Sequence, residues 1–80
     1  MMLDETIASC VMATTQTYVE TLKKENAFTT EAQKEAFAMT YSNVISILSE
    51  DCLTYLTEVY EDLSKYIENK IESEVKLQKQ

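Results

Sequence analysis

The chain has 80 residues, enough for one small domain, and contains neither glycine nor proline. Glycine usually supplies the positive φ angles of tight loops, and proline usually stops helices. A chain without either is therefore expected to consist of helices joined by short connections. Phosphate-binding loops and nucleophile elbows are built on glycine, so these sites are excluded. A hydrophobic fraction of 45% also excludes a disordered tail.

The charge balance is acidic, with fourteen acids against seven lysines and a formal net charge of −7. Nucleic-acid binders show the opposite balance and rely on arginine, which is absent, so no nucleic-acid partner is expected. Histidine, the usual general base and a common metal ligand, is also absent. We therefore predict no enzymatic activity, no catalytic residue, no metal site and no cofactor. The carboxylate pairs Glu58/Asp62 and Glu68/Glu72 are interpreted as solvated surface rather than as a hard-cation site.

Cysteine spacing and hydropathy bear on the cellular compartment. Cys10 and Cys52 are too far apart for a zinc knuckle or a redox CxxC motif, and we interpret them as buried free thiols. Free thiols favour a reducing, cytoplasmic compartment. No segment approaches the roughly 18 apolar residues of a membrane span. Met1 and Met2 fit either an ordinary start or an added start on a piece of a longer chain, in which case membrane association comes through a missing N-terminal segment.

The first helix is predicted over 4–25, with Asp4 as its N-cap. Asn26 follows it and can adopt the left-handed conformation of a C-cap in place of glycine. An apolar face at three- and four-residue spacing is expected to be buried. Its members are Leu3, Ile7, Cys10, Val11, Thr14, Tyr18 and Leu22.

The second helix is predicted over 31–48, with Thr29 and Thr30 as candidate N-caps and a capping box between Thr30 and Gln33. This helix is apolar around more of its circumference than the first, so we expect it to occupy the central position. Its main seam consists of Phe37, Tyr41, Val44 and Leu48, widened by Ala36, Thr40 and Ile47.

The third and longest helix is predicted over 50–78, after a break at Ser49 that we favour over a continuous helix. At 1.5 Å per residue it would be about 40 Å long, too long for the second helix to cover. Either the first helix or a second copy of the chain should therefore cover its C-terminal half. The apolar stripe of this helix is the candidate interface, consisting of Leu56, Val59, Tyr60, Leu63, Ile67, Ile71 and Val75.

Four segments together resemble a known family, namely Ala13 to Lys24, Thr30 to Phe37, Ile47 to Asp51 and Asn69 to Val75. They are similar to the soluble C-terminal part of small holin-like proteins of phages and prophages in Gram-positive bacteria. The resemblance implies a helical tail behind an N-terminal membrane span, and that span is not in this sequence. Glu61 stands where a glycine was expected, which predicts a third helix without a kink.

The sequence thus predicts an all-α fold, a three-helix bundle in a single domain over 1–80. The predicted function is a non-enzymatic assembly module of phage or prophage origin, the soluble tail of a holin-like protein. Its partner would be a second copy of the chain, with a dimer favoured. The alternative is an independent cytosolic adaptor that binds another protein through an exposed apolar seam.

Overall fold

The computed structural model describes residues 3–78, and all regular secondary structure in that range is helical. The predicted all-α fold class is therefore confirmed, whereas the expectation about Met1 and Met2 lies outside the described residues. The first helix, α1, comprises Leu3–Thr14, a π-helical turn at Thr15–Val19 and Glu20–Lys24. The others are α2 (Thr30–Ile47), α3 (Glu50–Val59) and α4 (Leu63–Gln78).

The connection between α1 and α2 is a tight turn that begins at Asn26. Asn26 has φ of 56°, and the amide of Ala27 donates to the carbonyl of Leu22 at 2.8 Å. Asparagine tolerates this left-handed conformation better than most residues, so the predicted C-cap is confirmed. Thr29 is the N-cap of α2, because its side chain accepts a hydrogen bond from the amide of Ala32. The predicted capping box was therefore wrong, since its first residue already belongs to the helix.

Helices α1 and α2 form an antiparallel hairpin whose seam is made of small side chains. The contacts of Thr14 with Thr40 and of Tyr18 with Glu35 set its register. The predicted seam of α2 was centred on the wrong residues, because Phe37 is only half-buried and packs at the edge of the core. The residues of α2 that are buried are Ala32, Ala36, Thr40 and Val44.

Helix α1, not α2, lies at the centre of the bundle. Its first half packs against both α2 and α4, and these contacts exceed those between α2 and α4. The largest fully buried side chains come from three of the four helices and meet in one core. They are Ile7 of α1, Val44 of α2, and Ile67 and Ile71 of α4.

The break at Ser49 is confirmed, because its side chain caps α3 by accepting a hydrogen bond from the amide of Cys52 at 3.1 Å. The predicted continuous helix over 50–78 was wrong, and so was the inference that Glu61 keeps it straight. Tyr60 is extended, with φ of −99° and ψ of 129°. Asp62 then accepts a hydrogen bond from the amide of Lys65 at 3.1 Å, in the geometry of an N-cap.

The break directs α4 alongside the first half of α1 instead of letting it overhang the bundle. Near the start of α4, Tyr66 donates to Asp4 at 2.6 Å, and at its end Gln78 donates to the carbonyl of Ala8 at 3.1 Å. The molecule nevertheless stays elongated, with extents of 42 × 22 × 20 Å. Its accessible surface is 5646 Å². A compact monomer of this mass would expose roughly 4900 Å², so the fold leaves excess surface uncovered.

Candidate functional site: an open groove at the hairpin end of the bundle

A groove of about 350 Å³ lies between the second half of α4 and the end of the α1–α2 hairpin that carries the turn. We call it the hairpin groove. It exists because α4 ends beside Ala8 and leaves the second half of α1 uncovered on this side. Ligand sites in proteins are commonly concavities of this size with mostly apolar walls and a few polar groups. Its apolar lining includes Val11, Val19, Phe28, Phe37, Ile71 and Val75.

The charged residues that line the hairpin groove are Lys23, Glu72 and Lys76. The charges of these three side chains sum to a positive value, although the net charge of the chain is −7. The ammonium group of Lys23 lies 5.6 Å from the ring centroid of Phe28, which places the charge at the apolar wall. Within residues 3–78, neither lysine forms an ion pair. The groove therefore combines an apolar lining with two cations available to an anionic partner.

The π-helical turn of α1 brings one additional apolar residue into the groove. In this turn the amide of Glu20 donates to the carbonyl of Thr15, five residues earlier, instead of to the usual fourth. Thr15 and Val19, at the two ends of the turn, both line the groove. Val19 was not on the predicted face of α1, because regular spacing from Thr14 leads to Tyr18.

The structure distributes the seven residues of the predicted interface over three environments. Leu56, Ile67 and Ile71 are buried in the core of their own chain. Tyr60 and Leu63 are half-buried against that core. Val59 and Val75 remain 57% and 37% exposed. Helix α1 covers the middle of the stripe, as one of the two predicted alternatives had it, and the exposed members lie on different helices.

Val75 is the exposed stripe residue that belongs to the hairpin groove, where it lies with the buried Ile71. Val59 lies on α3, outside the groove lining. The structure therefore brings Val75 together with residues of α1 and of the hairpin turn. Sequence reasoning missed Phe28, because it lies in the turn and outside every helical period.

A polar cluster joins the start of α4 to the start of α1. The hydroxyl of Tyr66 donates to a carboxylate oxygen of Asp4 at 2.6 Å, and the Lys70 ammonium lies 3.6 Å from the other oxygen. The ring centroids of Tyr60 and Tyr66 are 4.6 Å apart. The hydrogen bond to Asp4 raises the pKa of Tyr66 well above its ordinary value. Tyr66 and Lys70 therefore join the start of α4 to the start of α1 through the same carboxylate.

Within residues 3–78, no three acidic or cysteine side chains are grouped so that they could hold a metal ion. Both cysteines are free; Cys10 is buried and Cys52 half-buried. Burial raises the pKa of the Cys10 thiol, which lowers its nucleophilicity at neutral pH. Among the described helices, none has the length and apolar character required to cross a bilayer.

Comparison with known proteins gives no family assignment. No protein-family model matches the chain, and neither curated proteins nor solved structures provide a match. The functional conclusion therefore depends on the geometry of the hairpin groove and on the residues that surround it.

Proposed function

We propose that the chain is a non-enzymatic helical assembly module that acts by self-association. In this proposal it has a phage or prophage origin and forms the tail of a holin-like protein. The observation that carries the proposal is the preformed hairpin groove, which combines apolar side chains with Lys23 and Lys76 at its edge, neither of them in an ion pair with another described residue. Grooves between helices are a recurrent way to bind an amphipathic helix.

The amount of uncovered surface supports association. The chain exposes 5646 Å², which is about 700 Å² more than a compact monomer of its mass. A stable interface covers about 800 Å² on each partner, so one interface of ordinary size would remove this excess. Two large apolar side chains of α4, Val75 and Leu77, are exposed close to the groove end of the helix.

The composition supports a role in binding rather than in catalysis. The chain has no histidine, no arginine and no glycine. Catalytic sites commonly need one of these for proton transfer, anion stabilisation or a strained loop. The Tyr66 and Lys70 side chains, which could otherwise serve as an acid and a cation, are engaged by Asp4.

Sedimentation equilibrium over a range of protein concentrations tests self-association. We expect a reversible dimer that Val75→Lys weakens, because the substitution places a charge in the apolar lining of the groove. Asn69→Lys is the matched control: it adds the same charge at an exposed position of α4 outside the groove. A wild-type chain that stays monomeric at millimolar concentration would refute the proposal, provided that circular dichroism shows a folded protein.

An independent cytosolic adaptor is the second candidate, and the same preformed groove favours it. In that case the occupant is a helix of another protein instead of a second copy. The reading frame upstream of Met1 separates the two origins. If that region encodes a segment of about twenty apolar residues, it would support the holin-like tail. An upstream region without such a segment would favour the adaptor.

A further inference from the structure

Helix α3 presents an exposed flank that combines apolar and acidic side chains. Tyr55 and Val59 lie one turn apart and are 63% and 57% exposed. Asp51 lies one turn before Tyr55, and Glu58 lies three residues after it, so all four share one side of the helix. Leu56, the buried residue of α3, points into the core instead. We call Asp51, Tyr55, Glu58 and Val59 the α3 flank.

The α3 flank and the hairpin groove are complementary in polarity and in charge. Each has an apolar part, and the acids of the flank are opposite in sign to the net charge of the groove lining, to which Lys23, Lys76 and Glu72 contribute. The segment 50–62 contains five acidic residues and no lysine. Because the whole chain has a net charge of −7, association between random faces is opposed by repulsion, and local pairing of opposite charges selects the contact.

The two surfaces belong to opposite ends of the hairpin. The groove lies at the end that carries the turn between α1 and α2, where Lys23 and Phe28 are found. Helix α3 follows Leu48 at the other end, where Leu3, Leu48 and Leu56 belong to the same core. In a molecule 42 Å long, two copies must therefore lie antiparallel for each α3 flank to reach the groove of the other copy.

We propose that the α3 flank of a second copy occupies the hairpin groove, in a reciprocal antiparallel dimer. This inference rests on the proposed self-association and specifies its contact. A two-fold axis makes both contacts at once, so the assembly closes at two copies and does not extend into a filament.

Charge reversal and rescue test the contact. Lys23→Glu with Lys76→Glu places acids opposite the acids of the flank, and we expect the dimer Kd to rise at least about tenfold. Adding Asp51→Lys and Glu58→Lys to that variant restores opposite charges across the contact. We expect this four-site variant to regain most of the lost affinity.

The matched control is Lys34→Glu with Lys65→Glu, which changes the net charge equally at exposed positions outside the groove. We expect its Kd to stay within about threefold of the wild type, since remote exposed charges are screened by salt. Circular dichroism of each variant establishes that the helices are retained.

The possible outcomes separate this inference from the broader proposal. A wild-type chain that remains monomeric at millimolar concentration overturns both. A wild-type dimer whose Kd is unchanged by the groove variant, or whose loss is not rescued by the flank substitutions, overturns this contact and leaves self-association through another face. Loss of affinity in the groove variant, rescue in the four-site variant and an unaffected control together support the reciprocal dimer.

Discussion

The hydroxyl oxygens of Thr14 and Thr40 lie 2.7 Å apart in the buried seam between α1 and α2. Each also lies close to the carbonyl four residues earlier in its own helix, at 3.1 Å for Thr14 and 2.9 Å for Thr40. Thr40 donates across the seam, and Thr14 donates to the carbonyl of Cys10. This pair links the hairpin at one register, because a shift of one turn would separate the two hydroxyls.

The Thr14–Thr40 pair predicts a non-additive double-mutant cycle. Thr14→Val and Thr40→Val should each lower the free energy of unfolding by about 1 kcal/mol, the usual net value of one hydrogen bond. The double variant should cost less than the sum, because no hydroxyl then remains without its partner across the seam. Urea denaturation measures the free energy of unfolding of the two single variants and of the double variant.

The control for this cycle is Thr57→Val. Thr57 is exposed and donates only to the carbonyl of Leu53 in its own helix, at 2.7 Å. We expect a change within about 0.5 kcal/mol, as for most surface substitutions. Strictly additive losses in the two seam variants would contradict a coupled pair.

The left-handed turn at Asn26 predicts opposite effects for alanine and glycine. Asn26→Ala should lower the free energy of unfolding by about 1–2 kcal/mol, because its Cβ is unfavourable at a positive φ. Asn26→Gly should be neutral or stabilising, since glycine has no such penalty. Asn43→Ala, at an exposed position inside α2, is the control and should not destabilise. Equal stabilities for the alanine and glycine variants would count against the turn.

The hydrogen bond between Tyr66 and Asp4 predicts a loss of stability at alkaline pH. The bond raises the pKa of Tyr66 in the folded state, while the unfolded chain has a tyrosine pKa of about 10. The stability that this hydrogen bond contributes is complete below the tyrosine pKa of the unfolded chain. It is lost as the pH rises from there towards the higher pKa of Tyr66 in the folded chain. Between pH ~9 and ~11.5, the wild type should therefore lose more stability than Tyr66→Phe.

Tyr55→Phe is the control for the alkaline transition, because Tyr55 is largely exposed. Its stability should follow the wild-type curve over the whole pH range. Tyr18, whose pKa is raised by its hydrogen bond to Glu35, is retained in all three proteins and contributes equally. Parallel curves for the wild type and Tyr66→Phe would argue against the contact.

The N-cap at Asp62 predicts that the break between α3 and α4 depends on one side chain. Asp62→Ala should lower the free energy of unfolding by about 1 kcal/mol, whereas Asp62→Asn should cost little, because asparagine is also a strong N-cap. In Asp62→Ala, hydrogen exchange should accelerate at the amide of Lys65, because this amide donates to the side chain of Asp62 in the wild type. Glu61→Ala, at the exposed neighbouring position, should leave that amide unchanged.

The division of the apolar stripe predicts two classes of alanine variant. Ile67→Ala should lower the free energy of unfolding by about 2–5 kcal/mol, because it opens a cavity in the core. Val75→Ala should cost much less, because Val75 is more than one-third exposed. Thermal unfolding followed by circular dichroism measures both. Similar losses for the two would mean that the stripe is not divided into core and groove.

Local chemistry explains what the sequence could predict. Asn26 and Ser49 act through hydrogen bonds to residues within five positions, so their roles follow from residue type and neighbours. The apolar face of α1 from Leu3 to Thr14 is likewise buried as its spacing indicates. These features required no knowledge of how the helices pack.

The missed features depend on contacts between distant parts of the chain or on competing signals. The stripe continues past Tyr60 at helical spacing, which predicted a continuous helix, whereas the hydrogen bond from the amide of Lys65 makes Asp62 an N-cap. The whole stripe was assigned to an interface, although Leu56, Ile67 and Ile71 are buried in their own chain, because the sequence left open whether the first helix or a second copy covers it. The hairpin groove exists only because α4 ends beside Ala8, which periodicity does not specify.

The π-helical turn of α1 extends the groove-lining surface of this helix beyond the core. Before Thr15, the buried face of α1 meets the core, and Val11 and Thr14 also line the groove; after it, Val19 lines the groove. One extra residue in a helix rotates everything beyond it by about 100°. The wider π-helical turn absorbs one such residue, so deleting a single residue within Thr15–Val19 would restore a regular α-helical turn and change which side chain lines the groove, without altering a core side chain. Length changes at this turn are thus a route by which related chains could exchange one partner for another while keeping the same core.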